Sequence, residues 1–365
     1  MPTPTPEARP RILFIRLSAL GDVVNTLPAL EALRRGFPQA FIGFAVEDRA
    51  KDLIVGHPSV DRVHVLERKR WRTMLRSPSK WLAARRELAG FVRELRAERY
   101  GIALDFQGNF KGALHAVFSS APRRVGFARG FNKELNHLFS NERVRPSSAT
   151  ERQHRVHKFL ALAGYLGAPV DRASYRLPDL GASSARVAEF RRAANVGEYA
   201  ALHPGASGRG ALKKWPAERF GELAARIARE CGLRPVITWG PGEQALAESV
   251  VAASGGSALL ALQTTSVLDL AALIAGARIF VGCDSGPLHL ASAVSTPSVA
   301  LFGPKDPRTY GPFHARSRVV FHGEPGQGRM EDIPVDQAFS AVISLLSEVG
   351  AGASAPPGRV LGAGG

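Results

Sequence analysis

Asp22 stands in the stretch RLSALGDVVNTLPAL, residues 16–30, directly after the apolar run Ile12–Ile15 and where a strand should hand over to a helix. A carboxylate in such a strand-end loop is well placed to meet a ligand and to take a proton from a hydroxyl whose own pKa lies far above neutral. The plainer reading is that Asp22 caps the helix that follows. In the second half, GCDSGPLHLASA, residues 282–293, follows a four-residue apolar strand and puts Asp284, Ser285 and Gly286 at a turn into a helix. Free amides and the helix dipole favour an anion at such a turn. Helix capping by Asp284 and Ser285, with Gly286 permitting the bend, is the alternative. HPGASGRGALKKWP, residues 203–216, is a second glycine-rich turn and carries Lys213 and Lys214; TWGPGE, residues 238–243, is a third, with Glu243 able to accept hydrogen bonds from hydroxyls. Three strand-end loops offering amides, a lysine and a carboxylate suit a nucleotide diphosphate at the ligand edge of a parallel sheet.

The elements that must carry these loops alternate between short apolar runs and longer helical patterns. Strands are expected at residues 11–17, 40–46, 63–66 and 102–106, and a helix at 23–35, which is the rhythm of a parallel sheet covered by helices. An irregular basic stretch, 122–155, precedes a helix at 157–166. The rhythm restarts with strands at 199–203, 234–239, 278–282 and 298–302 and helices at 217–231, 244–253, 267–275 and 288–294. The expected organisation is one Rossmann-like domain over 11–167, a linker region over 168–198, a second Rossmann-like domain over 199–334 and a closing helix over 335–349. Residues 1–10 and the Pro/Gly/Ala-rich 350–365 are expected to be disordered.

Composition limits the functions. The 365 residues are 45% hydrophobic, enough for two cores. The two cysteines, Cys231 and Cys283, build neither a metal site nor a disulfide framework, so a cytoplasmic protein without structural metal is expected. No apolar run reaches the length of a bilayer span, and MPTPTPEARP lacks the apolar core of a signal peptide. The net charge of +16 favours polyanionic partners. It concentrates between Leu66 and Arg99, where eleven Lys/Arg face four Glu around apolar Trp81, Leu82, Leu88, Val92 and Leu95 at helical spacing. That pattern reads either as a solvated helix face or as a surface that meets an anionic membrane or acceptor. A nucleic-acid binder is disfavoured, since the stretch lacks interleaved aromatics and any zinc-finger or RNP-type motif. A nicotinamide-dependent dehydrogenase is disfavoured because RLSALGD is not a GxGxxG fingerprint.

Taken together and in order, RLSALGD, DFQGNFKG at 105–112, KKWP, WGPGE, GCDSGPLHLA and LFGPKDP at 301–307 closely resemble the family 9 glycosyltransferases, the heptosyltransferases, from about Arg11 to about Phe313. DFQGNFKG is more similar to heptosyltransferases of type I than of type II. The resemblance implies an α/β GT-B fold, two Rossmann-like domains whose parallel sheets face an interdomain cleft. It implies an inverting, metal-free transfer of heptose from ADP-heptose, without a cofactor, to a Kdo-lipid A acceptor, by a cytoplasmic enzyme peripheral to the inner membrane and its anionic surface. A type II or other family 9 transferase is the alternative. Carried onto this sequence, the resemblance makes Asp22 the general base and Lys213, the first lysine of KKWP, the partner of the leaving diphosphate, with Lys214 the competing assignment. Ser207, Lys213, Glu243, Asp284, Ser285, Gly286, Pro287 and His289 fall on the donor side; His289 reads equally as a buried structural histidine. Ser18, Gln107, Asn109, Lys111 and Arg123 fall on the acceptor side, the last two offering cations to carboxylate or phosphate.

Overall fold

The computed structural model describes residues 9–146, 154–206, 211–314 and 316–352. The chain divides into two compact units, one running through Ala182 and including Ser266–Leu268, the other beginning at Ser183.

The first unit is built on six parallel strands, β1 (Arg11–Ile15), β2 (Phe41–Glu47), β3 (Arg62–Leu66), β4 (Ile102–Asp105), β5 (Arg123–Phe127) and β6 (Glu142–Val144), in the order β3-β2-β1-β4-β5-β6. The central strand β1 is apolar on both faces, with Ile12, Leu13, Phe14 and Ile15 all fully buried, as a strand between two helical layers must be. Phe14 stacks on Phe44 and on Phe106, with ring centroids 4.7 and 3.9 Å apart. The helices are α1 (Leu20–Gly36), α2 (Arg68–Leu75), α3 (Trp81–Ala97), α4 (Phe110–Phe118) and α5 (Arg155–Tyr165). The α1 helix starts three residues before the expected Val23, and its N-cap is Ala19. Asp22 therefore lies inside the first turn rather than at the cap. The basic stretch forms two helices, broken by a short turn at Pro78–Lys80. In α3 the buried positions are Ala84, Phe91 and Leu95, whereas Trp81, Leu82 and Leu88 are 54%, 62% and 41% exposed, so the apolar face expected from the sequence is only partly turned inward. Strands β5 and β6 occupy what read as irregular chain.

A helix expected nowhere, α6 (Gly181–Ala193), occupies part of the region read as a linker. The second unit repeats the plan with β7 (Tyr199–His203), β8 (Arg234–Ile237), β9 (Leu259–Leu260), β10 (Ile279–Cys283), β11 (Ser298–Phe302) and β12 (Ser317–Phe321), all parallel in the order β12-β11-β10-β7-β8-β9. Helices α7 (Ala217–Cys231), α8 (Gln244–Ala253), α9 (Val267–Ala275), α10 (Gly286–Ala293), α11 (Pro307–Tyr310) and α12 (Val335–Gly352) complete it. The α12 helix takes in residues 350–352; residues 1–8 and 353–365, expected to be disordered, lie outside the described residues. Trp215 of KKWP is a core residue, 1% exposed, packed edge-on against Phe220 with its Nε1–H donating to Ile333 O at 3.1 Å. It anchors the loop that carries Lys213.

Both sheets have the strand order 3-2-1-4-5-6 of nucleotide-binding Rossmann folds, in which ligands bind beyond the carboxyl ends of the strands where the order reverses. In the first unit that point lies between β1 and β4, and in the second between β7 and β10.

Candidate active site

At the first switch point the loop after β1 leads into α1, whose first turn carries Asp22. Its Oδ2 lies 2.5 Å from Arg16 Nη2, and its Oδ1 pairs with Arg155 from the start of α5. Arg16 is 2% exposed and also donates from Nη1 to Phe106 O at 2.6 Å, so its orientation is fixed at both ends. Burial pulls the Arg16 guanidinium down and the Asp22 charge opposes this. Lys158, one turn further along α5, donates to Phe131 O at 2.6 Å and lies 4.4 Å from the Phe127 ring centroid. Burial, with Arg155 and Arg16 nearby, pushes its ammonium down to about 8. Two arginines pair with this carboxylate, and the Lys158 ammonium adds a third positive charge nearby. Together they attract an anionic substrate group to the same place.

The neighbouring loop after β4 is held by Asp105, which is 1% exposed. Its Oδ1 accepts from the amides of Gln107 and Gly108 at 2.9 and 3.0 Å, and its Oδ2 from Asn136 Nδ2 at 2.6 Å. Burial raises its carboxyl above the usual range, against the pull of those hydrogen bonds. A Cβ on Gly112 would stand 2.2 Å from Asp105 Oδ1, so only glycine lets α4 start so close to the carboxylate. Gln107 Oε1 accepts from the amides of Leu17 and Ser18 at 3.0 and 3.2 Å, tying this loop to the one that leads to Asp22. Asn109 caps α4, its Oδ1 accepting from Gly112 N at 3.3 Å, and Lys111 follows within the helix. The structure thus brings Ser18, Asp22, Gln107, Asn109 and Lys111 to one sheet edge. It does not bring Arg123 there: that residue opens β5 at the opposite edge, where its Nε and Nη2 donate to both oxygens of Glu142 at 2.7 and 2.9 Å.

At the second switch point Lys213 Nζ lies 2.5 Å from Asp284 Oδ2, which joins the loop after β7 to the start of α10. Lys214 is exposed. Ser285 is the N-cap of α10, and its buried Oγ makes no hydrogen bond among the described residues. Pro287 has no N–H, so the free amides of this turn cannot include it; its fixed φ instead starts the helix. His289 is buried within α10. Glu243, before α8, accepts from Gly240 N at 3.0 Å, and its carboxylate lies so near Gly205 that a Cβ there would stand 2.3 Å from Oε2. Behind it, His203 is 3% exposed, with Nδ1 3.0 Å from Thr238 Oγ1 and Nε2 3.5 Å from Glu243 Oε2. Burial pushes this imidazole down to about 4, so the contact with Glu243 is that of a neutral ring. Ser207, expected on the donor side, lies outside the described residues.

Sequence reasoning missed Arg16, Arg155, Lys158 and His203. Arg16 was within reach, as the first residue of the RLSALGD stretch; Arg155 and Lys158 meet Asp22 only through the fold. Among the described residues no three His, Cys, Asp or Glu side chains gather in a way that could hold a metal ion, and no helix is long and apolar enough to cross a membrane.

Residues 88–332 match the family model described as glycosyltransferase family 9 (heptosyltransferase). The chain belongs to this family. As a family 9 member it is a glycosyltransferase that uses a nucleotide sugar. It is 30% identical over 317 residues to lipopolysaccharide heptosyltransferase 1 of Escherichia coli K12, covering 85% of this chain and 92% of that one. To lipopolysaccharide heptosyltransferase 2 of Salmonella typhimurium it is 27% identical over 366 residues, covering 93% and 99%. Among solved family 9 structures, the Escherichia coli heptosyltransferase WaaC with ADP-2-deoxy-2-fluoro heptose superposes with a TM-score of 0.72 at 25% identity, covering 93% of this chain and 99% of that one.

Proposed function

We propose that the protein transfers heptose from ADP-heptose to a Kdo-bearing lipid A acceptor in lipopolysaccharide core assembly, with inversion. The observation that carries this reading is the Asp22 carboxylate, fixed by Arg16 and Arg155 at the ligand edge of the first sheet. An acceptor hydroxyl gives its proton to Asp22 while its oxygen bonds to the anomeric carbon; the bond from that carbon to the diphosphate oxygen breaks and ADP departs with the electron pair. Lys213, the Ser285 hydroxyl and the amides opening α10 face the growing charge on the diphosphate, and Glu243 accepts from the ribose hydroxyls. Kdo supplies a carboxylate and lipid A its phosphates, both suited to the cations around Asp22. The likeness to heptosyltransferase 1 of Escherichia coli supports the first-heptose acceptor over one that already carries heptose.

A lipid acceptor places the enzyme at an anionic surface. The exposed Trp81, Leu82 and Leu88 of α3, set among arginines, support peripheral docking there. Mass spectrometry of the product from ADP-heptose and Kdo-lipid A tests the activity. Addition of one heptose is the expected result. Transfer only to an acceptor that already carries heptose would establish the type II reading, and no transfer to either would overturn the assignment.

A further inference from the structure

Glu47 ends β2 at the ligand edge and is 2% exposed, yet nothing in the reaction outlined above uses it. Its Oε2 accepts from Arg68 Nη1 at 3.2 Å, and its Oε1 lies 3.6 Å from Lys111 Nζ. That Oε1 is buried and accepts no hydrogen bond among the described residues. The two cations are themselves 48% and 41% exposed at their side chains, so each has one side on the carboxylate and the other toward solvent. They arrive from different places: Arg68 opens α2 after β3, and Lys111 lies in the first turn of α4 after β4. In the sheet order, β2 and β1 separate those two strands, so the pair comes from either side of the strand that leads to Asp22.

A buried carboxylate is costly to desolvate, and one held only by two half-exposed cations recovers little of that cost as stability. Its geometric effect is larger. A single buried charge fixes two long side chains that would otherwise sample many rotamers, and each, half-exposed, keeps donors free to meet an anion on its solvent side. We propose that Glu47 is a positioning residue that holds Arg68 and Lys111 as a two-cation fork for an anionic group, carboxylate or phosphate, of the acceptor. Glu47 touches no substrate; it acts only through the fork. The proposal rests on the reading of the first unit as the acceptor side.

Steady-state kinetics with O-deacylated Kdo-lipid A as a soluble acceptor, together with calorimetry of the same acceptor in the absence of donor, provide the test. Glu47→Gln keeps the shape and removes the charge. It should raise the acceptor KM and Kd by about tenfold, the loss of one charge-assisted contact, while kcat and the ADP-heptose KM stay within twofold. In an Arg68→Gln/Lys111→Gln background the same substitution should have no further effect. The proposal is overturned if Glu47→Gln leaves acceptor binding unchanged, shifts the ADP-heptose KM instead, or weakens acceptor binding equally in both backgrounds. Should Glu47→Gln fail to fold, Glu47→Asp, which keeps the charge and shortens its reach, is judged by the same criteria. A wild type that binds the acceptor without turnover would overturn the transferase reading and leave the fork standing. The two carboxylate and phosphate sources separate through acceptors lacking either the Kdo carboxylate or the lipid A phosphates: the fork's ligand is the group whose removal abolishes the Glu47→Gln effect.

Discussion

Arg16 and Asp22 form an ion pair, 2.5 Å from Nη2 to Oδ2, in which the guanidinium is almost wholly buried and its Nη1 donates to the Phe106 carbonyl. A carboxylate fixed in this way has its angle to the substrate set by the strand that precedes it. Asp22→Asn should lower kcat by roughly 10²- to 10⁴-fold, the usual loss of a general base, and should also lower the melting temperature, because it leaves the buried Arg16 guanidinium without its carboxylate. Arg16→Met should lower both, since it takes one of two arginines from Asp22 and the donor from the Phe106 carbonyl. Near wild-type turnover in the Asp22→Asn enzyme would remove Asp22 from the base role.

Lys158 loses its charge as pH rises through about 8. If that charge helps to hold the acceptor anion, the acceptor KM should climb between pH 7 and pH 9 while the ADP-heptose KM stays level. Lys158→Met should show the raised KM at every pH and no such step. A step that persists in the Met variant would assign the titration to another group.

On the donor side, Lys213→Ala should weaken ADP binding by about ten- to a hundredfold, the loss of a charge-assisted contact, and Lys214→Ala by less than twofold. Gly205→Ala should also weaken ADP binding, by displacing the Glu243 carboxylate. Isothermal calorimetry reads all three, and equal effects from the two lysines would contradict the placement of the diphosphate beside Asp284.

Stability should fall with acidification. His203 titrates at about 4 when folded against about 6.5 when unfolded, and burial lowers His57, His64 and His115 in the same direction. Below pH 6.5 these histidines therefore bind more protons in the unfolded chain than in the folded one, so they cost the fold stability as pH drops toward 4 and have no such effect above pH 7. For His203 the loss is on the order of 3 kcal/mol. Urea melts from pH 7.5 to 4.5 should show this slope, and His203→Gln should flatten it; an unchanged slope would mean that the ring is not buried neutral.

Wild type should sediment with phosphatidylglycerol vesicles at low ionic strength and leave them at high salt. Trp81→Ser/Leu82→Ser/Leu88→Ser should weaken sedimentation without changing turnover of a deacylated acceptor. Variant and wild type pelleting alike would make α3 an ordinary solvated helix.

The parallel-sheet repeat and the groups at the strand ends were legible because their signals are local. An apolar run such as ILFI followed by a small-residue turn marks a buried strand and the loop where ligands bind, as GCDSG does in the second half. Strands β5 and β6, with sequences RRVGF and ERV, were not legible, since strands this short and charged, the last two on their side of the sheet, have no apolar run to reveal them. The α6 helix was hidden by the prolines and glycines around its start. Leu82 was misplaced because it and Ala84, two residues apart and so about 200° round the helix, face opposite ways. Arg155 and Lys158 carry no pattern of their own; only the packing of α5 against α1 brings them to a carboxylate far back in the chain.

Gln107 gives one amide oxygen to the backbone of both Leu17 and Ser18. The turn that leads to Asp22 and the turn that leads to Asn109 and Lys111 are therefore a single ordered body before any sugar arrives. The conformational entropy of arranging them is surrendered when the chain folds, not when the acceptor binds. Cutting that tie with Gln107→Ala should move the loss to the binding step, so that acceptor association becomes more costly in entropy while its enthalpy changes little.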